Sequence, residues 1–179
     1  MICDFDDFSE TNHKLDRLHE LKAANPLFRC TLFAVPGLGS DGFWAGVPDW
    51  CELAVHGWLH PDPMECATWG RKRTLRLMDE PTVSRFFVRG FKAPGWQISD
   101  GTYEALLERG FWVADQHLED HRRPAGLPTY FYEDSPDRWH GHTHDVCGNG
   151  HRGTMGGASW ASQCSDGVRV RVRSPQCRC

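Results

Sequence analysis

The sequence lacks any unbroken apolar run of the roughly 18 to 20 residues that a membrane-spanning helix needs. Its opening residues, Met1-Ile2-Cys3-Asp4-Phe5-Asp6-Asp7, have neither the basic stretch nor the long apolar stretch of a secretory leader. No membrane partner is expected, and the expected location is cytoplasmic. An excess of basic charge is missing too: 20 Lys and Arg stand against 24 Asp and Glu, a net charge of −4, so nothing calls for a nucleic-acid partner. Among eight cysteines there is no C-x-x-C pair, and the one C-x-C, Cys177 with Cys179, has no matching second pair of ligands. That argues against a structural zinc knuckle, and scattered cysteines without a leader are expected to be mostly reduced thiols.

What is present suits one domain. A chain of 179 residues, 40% apolar and 12% aromatic, can fill a single core. Short apolar runs alternate with helix-like stretches, the pattern of an α/β fold with parallel strands. The pattern predicts strands over Met1–Phe5, Phe28–Val35, Cys51–Val55, Arg89–Ala93, Phe111–Ala114, Thr129–Tyr132 and Arg138–His140. A helix capped by Thr11 or Asn12 is expected to run to about Ala24, with Leu15, Leu18 and Leu21 on one face and Asn25-Pro26 as its stop. A second, capped by Ser99 or Asp100, is expected to end before Gly110. Residues 151–179 differ in kind, with five arginines, one aspartate, three cysteines and no leucine, isoleucine or phenylalanine. The expected organisation is a catalytic domain over 1–150 and an atypical tail over 151–179. The tail is either a flexible basic extension or the product of a reading-frame shift, and protein sequence alone leaves both open.

Four clusters could carry chemistry, and each sits at or just after the end of a predicted strand, where parallel barrels assemble their sites. Asp6-Asp7 sets two carboxylates side by side, which is costly to bury unless a cation or catalysis requires it. A solvated acidic turn is the plainer alternative. His56-Gly57-Trp58-Leu59-His60 brings two imidazoles within reach of one ion, and with a carboxylate they make the three-ligand set of an open, catalytic zinc site. Lys92-Ala93-Pro94-Gly95-Trp96 supplies a cation that could pair with Asp6, a rigid turn, and an aromatic wall for a substrate pocket. Trp139-His140-Gly141-His142-Thr143-His144 supplies imidazoles suited to proton transfer near neutral pH, without showing which of the three points inward.

Taken in order, these motifs resemble those of the polysaccharide deacetylase family, the chitooligosaccharide-deacetylase-like domain also grouped as carbohydrate esterase family 4, over about residues 2–150. The resemblance implies a distorted (β/α)7-type barrel and one divalent metal ion, zinc by its ligand set. It implies Asp6 as catalytic base, Asp7, His56 and His60 as metal ligands, and His142 or His140 as general acid, with Lys92, Pro94 and Trp96 toward the substrate. The implied activity is hydrolysis of a non-peptide carbon–nitrogen bond, such as deacetylation of an N-acetylated sugar or related small amide. The competing expectation is a catalytically impaired carbohydrate-binding module that keeps the metal site. The family usually has arginine where this chain has Lys92, and a small residue where Phe8 follows the aspartates. Oligomeric state and substrate identity stay open at this level.

Overall fold

Parallel strands need long crossovers, and the alternation of apolar runs with helical stretches supplies them. The computed structural model describes residues 2–115, 123–131 and 138–142, with side chains over 3–115 and 123–131. Its strands are β1 (Ile2–Phe8), β2 (Cys30–Ala34), β3 (Cys51–His56), β4 (Gly90–Lys92), β5 (Trp112–Asp115), β6 (Thr129–Phe131) and β7 (Arg138–His142). They form one sheet in the order β6-β5-β4-β3-β2-β1-β7, and every neighbouring pair is parallel. With helices α1 (Leu15–Ala24), α2 (Asp41–Ala45), α3 (Arg71–Met78), α4 (Pro81–Phe86) and α5 (Asp100–Glu108) in the crossovers, this is the expected α/β, (β/α)7-type architecture. Among the described residues no helix is long and apolar enough to cross a membrane.

Strand alternation sorts the sheet into two faces with different jobs. Phe5, Leu32, Leu53, Val55, Phe91 and Val113 belong to the main core, which also takes in Leu18 of α1, Leu77 of α3 and Leu106 of α5. On the opposite parity, Phe33, Ala54 and Ala114 form a small separate cluster, and the polar residues Asp4, Asp6, Thr31, His56 and Lys92 are buried alongside that parity. The second face is the interior of the barrel. Its apolar filling is small enough to leave room for charged groups. Gly90 fits the same face, since a Cβ there would collide with the indole of Trp112 on the next strand.

Several local expectations need correction. α1 starts later than Thr11 or Asn12 would make it: its N-cap is Lys14, in the left-handed region at φ 46° with no side-chain cap. His13 Nδ1 instead accepts the Leu15 amide at 3.3 Å, and Asn12 is committed elsewhere, donating to the Asp7 carbonyl at 3.0 Å. Ser99 does cap α5, accepting from the Thr102 amide. Between β3 and β4 lie α3 and α4, which the alternation reading does not anticipate. Thr74, Leu77 and Met78 of α3 are buried at helical spacing, but among four charged residues that spacing is faint. Cys30, Cys51 and Cys66 are free and buried, whereas Cys3 is disulfide-bonded.

Candidate metal centre

β1 has to present two adjacent carboxylates to one place, which a regular strand cannot do because successive side chains face opposite ways. A register irregularity between Phe5 and Phe8 solves this. Asp4 and Asp6 keep the normal two-residue alternation and both face the interior. Asp7 is turned by a backbone at φ 64°, held by the Asn12 amide on its carbonyl. A bulge of this kind, which re-aims one side chain, is a recurrent feature beside functional sites. Non-glycine residues at positive φ cost energy and persist only where their surroundings impose them. Here Asp7 near the end of β1, His60 after β3 and Trp96 after β4 all have it.

Asp7 Oδ1 lies 3.1 Å from His60 Nε2 and 3.5 Å from His56 Nε2. One donor atom from each of the three residues falls within 4.8 Å of the others. Ligand atoms bonded at about 2.0 to 2.1 Å to a tetrahedral ion stand about 3.3 Å apart, so the carboxylate–imidazole spacings suit a first-row divalent ion. His56 ends β3, buried, and its Nδ1 is 2.9 Å from the Lys92 carbonyl. A carbonyl only accepts, so Nδ1 carries the proton and Nε2 keeps its lone pair toward Asp7, the outer-shell arrangement that fixes a ligating imidazole. The Asp7 carboxylate beside it holds the His60 imidazole above its ordinary pKa, against an opposing desolvation effect.

The second carboxylate has a different partner. Lys92 at the end of β4 is fully buried, and its Nζ donates to Asp6 Oδ1 at 2.8 Å and to Asp4 Oδ1 at 3.4 Å. The ammonium also lies 4.5 Å from the Trp96 ring centroid and 4.9 Å from that of Phe33. Two carboxylates and two aromatic faces thus replace the water such a cation would hold. Asp6 Oδ2 is left 4.0 Å from His56 Nε2. Pro94 is buried, next to Gly57, while Trp96 is half-buried over Lys92.

Of the residues singled out from sequence, the fold gathers Asp6, Asp7, His56, His60, Lys92, Pro94 and Trp96 at one end of the sheet. The backbone of β7 pairs with β1, His140 opposite Asp4 and His142 opposite Asp6. The side chains of His140 and His142 lie outside the described residues, as do His144 and the whole of 151–179. Three buried carboxylates escaped the sequence reading. Asp4 shares Lys92. Asp115 ends β5 and accepts from the Tyr103 hydroxyl at 3.0 Å. Glu65 accepts three backbone amides of the loop that carries His60. Asp115 sits directly at a strand end, the signal used for the others; Glu65 carries no such mark.

No protein-family model and no curated protein matches the sequence. Among solved structures, the chain is similar to the Xyl-CE4 domain of a multidomain xylanase from the hindgut metagenome of Trinervitermes trinervoides. The TM-score is 0.50 at 14% identity, covering 65% of this chain and 57% of that one. It is also similar to a family 4 acetyl xylan esterase from Clostridium thermocellum solved with a cobalt ion, with a TM-score of 0.48 at 15% identity, over 64% of this chain and 57% of that one. The chain thus spans little more than half the length of either. At such identity the likeness is one of fold.

Proposed function

We propose that the chain is a metal-dependent hydrolase that removes an acetyl group from an N-acetylated sugar or a related small amide. One observation carries this reading: Asp7, His56 and His60 converge at ligand spacing while a second carboxylate, Asp6, is held beside them by a buried ammonium. Asp7, His56 and His60 would hold one divalent ion, zinc by the donor set. When bound there, it supplies polarisation of the substrate carbonyl and acidification of a water molecule.

The remaining work falls to the chain's own side chains. Asp6 accepts from Lys92 through Oδ1 and, through Oδ2, the oxygen facing His56, takes the proton of the attacking water as general base. Lys92 fixes the direction of that carboxylate through its hydrogen bond to Oδ1. Trp96, half-buried over Lys92, offers an aromatic face to a sugar ring. His142 or His140, on the strand beside Asp6 and Asp4, protonates the departing amine. Base and acid then come from adjacent strands, and the amine leaves neutral.

Metal analysis of the purified protein, beside a deacetylation screen of N-acetylated chito-oligosaccharides, acetyl esters and small amides, tests the proposal. About one ion per chain and turnover abolished by chelation are expected. Full metal occupancy in both His56→Ala and His60→Ala would remove the site. A tight ion with no turnover on any of these substrates would favour the carbohydrate-binding module.

A further inference from the structure

Glu65 belongs neither to the donor set nor to the Asp6–Lys92 pair, yet it is buried against the metal loop. It opens the short turn Glu65–Thr68. Its Oε2 accepts the amides of Trp58 at 3.0 Å and His60 at 2.9 Å, and its Oε1 accepts that of Leu59 at 3.2 Å. These are the three residues that lead from the loop's glycine to the second histidine. A chain leaving a strand in so tight a turn has no ladder partner for those N–H groups, and one charged carboxylate satisfies all three. The loop is otherwise unfavourable at His60, a non-glycine residue at φ 49°.

Gly57 is part of the same device. A Cβ at that position would collide with Glu65 Oε2 and come within 3.0 Å of Pro94 Cγ, so glycine is needed for the close approach as well as for the positive φ. The carboxylate and the missing side chain require each other, and their common product is the orientation of His60. We infer that Glu65 is the positioning residue for His60. By clamping the 58–60 amides it holds the imidazole where its Nε2 meets Asp7 Oδ1 at 3.1 Å. The inference rests on the metal-site reading above and adds a residue to it.

The test is a cobalt(II) titration of the full chain, read by ligand-field absorption, for wild type, Glu65→Gln, His60→Ala and the double variant. Circular dichroism and melting of each metal-free protein run beside it. Gln preserves volume but replaces an acceptor oxygen by a donor. A folded Glu65→Gln protein is expected to bind cobalt roughly 10- to 100-fold more weakly, as loss of an outer-shell partner does, with altered band positions or intensities. In the His60→Ala background the same change should cost little more, because two residues acting through one ligand are not additive. Wild-type affinity and spectrum in a cooperatively folded Glu65→Gln protein would overturn the inference, as would an equal loss in both backgrounds. Should Glu65→Gln fail to melt cooperatively, Gly57→Ala, whose methyl displaces the same carboxylate, faces the same two criteria. A wild-type protein that takes up no cobalt would overturn the metal-site reading itself, and this inference with it.

Discussion

Asp6 and Asp7 are neighbours in the chain with different surroundings: Asp6 faces a buried ammonium and Asp7 faces two imidazoles. Asp6→Asn is therefore expected to keep the metal and lower turnover by roughly 10²- to 10⁴-fold, the usual weight of a general base. Asp7→Asn should lose metal affinity first. Metal content and kcat measured on both variants decide it, and equal metal loss in the two would place the base elsewhere. His60 gives the centre a pH dependence. Its raised pKa means that the protonated imidazole and Asp7 stabilise the metal-free fold fully below the ordinary histidine range, and lose that effect as pH rises through the raised value. Metal needs the neutral ring, so protons compete with it. The rise in melting temperature on adding zinc should accordingly be larger at pH 8 than at pH 6.

At the scale of elements, β4 is only three residues long but delivers the cation on which β1 depends. Replacing one partner of a buried ion pair leaves charge poorly compensated, typically at a cost of about 3 to 5 kcal/mol. Lys92→Met is expected to lose stability of that order at neutral pH. Urea unfolding of both proteins at pH 7.5 measures the difference, and a variant as stable as wild type would contradict it. β2 and β3 give a second check. Cys30 and Cys51 face each other across them with Sγ atoms 3.5 Å apart. Burial pushes the Cys30 thiol, and that of Cys66, well above the ordinary range. Iodoacetamide at pH 8 should leave all three unmodified until the protein unfolds.

For the whole molecule, the centre ties together distant parts of the chain: the loop after β3, the end of β1 and the carbonyl at the end of β4. An ion held there should stabilise the fold by linkage, about 2.7 kcal/mol at a free metal concentration 100-fold above Kd. Chelation should lower the melting temperature accordingly. The described donors all lie between Asp7 and His60, so a chain ended after Gly150 is expected to bind cobalt with unchanged affinity. A loss comparable to that of His60→Ala would make residues 151–179 part of the site.

Much of this was readable before any tertiary structure. Parallel strands and their crossovers follow from the alternation of apolar runs with helical stretches, since a buried strand such as Cys30–Ala34 leaves a continuous apolar signature. Placement of Asp7, His56 and Lys92 at strand ends follows from the same runs, because each motif begins where the apolar stretch stops. Less was visible between β3 and β4, where α3 buries three residues among charged ones and its helical period is weak. The sequence could not separate Asp6 from Asp7, because only a bulge and a left-handed backbone turn one of them away from its neighbour's partner. Nor could it mark Asp4 or Glu65. An isolated carboxylate has the same appearance whether it is solvated or buried, and only the fold brings Lys92, 88 positions from Asp4, and the 58–60 amides to the oxygens that need them.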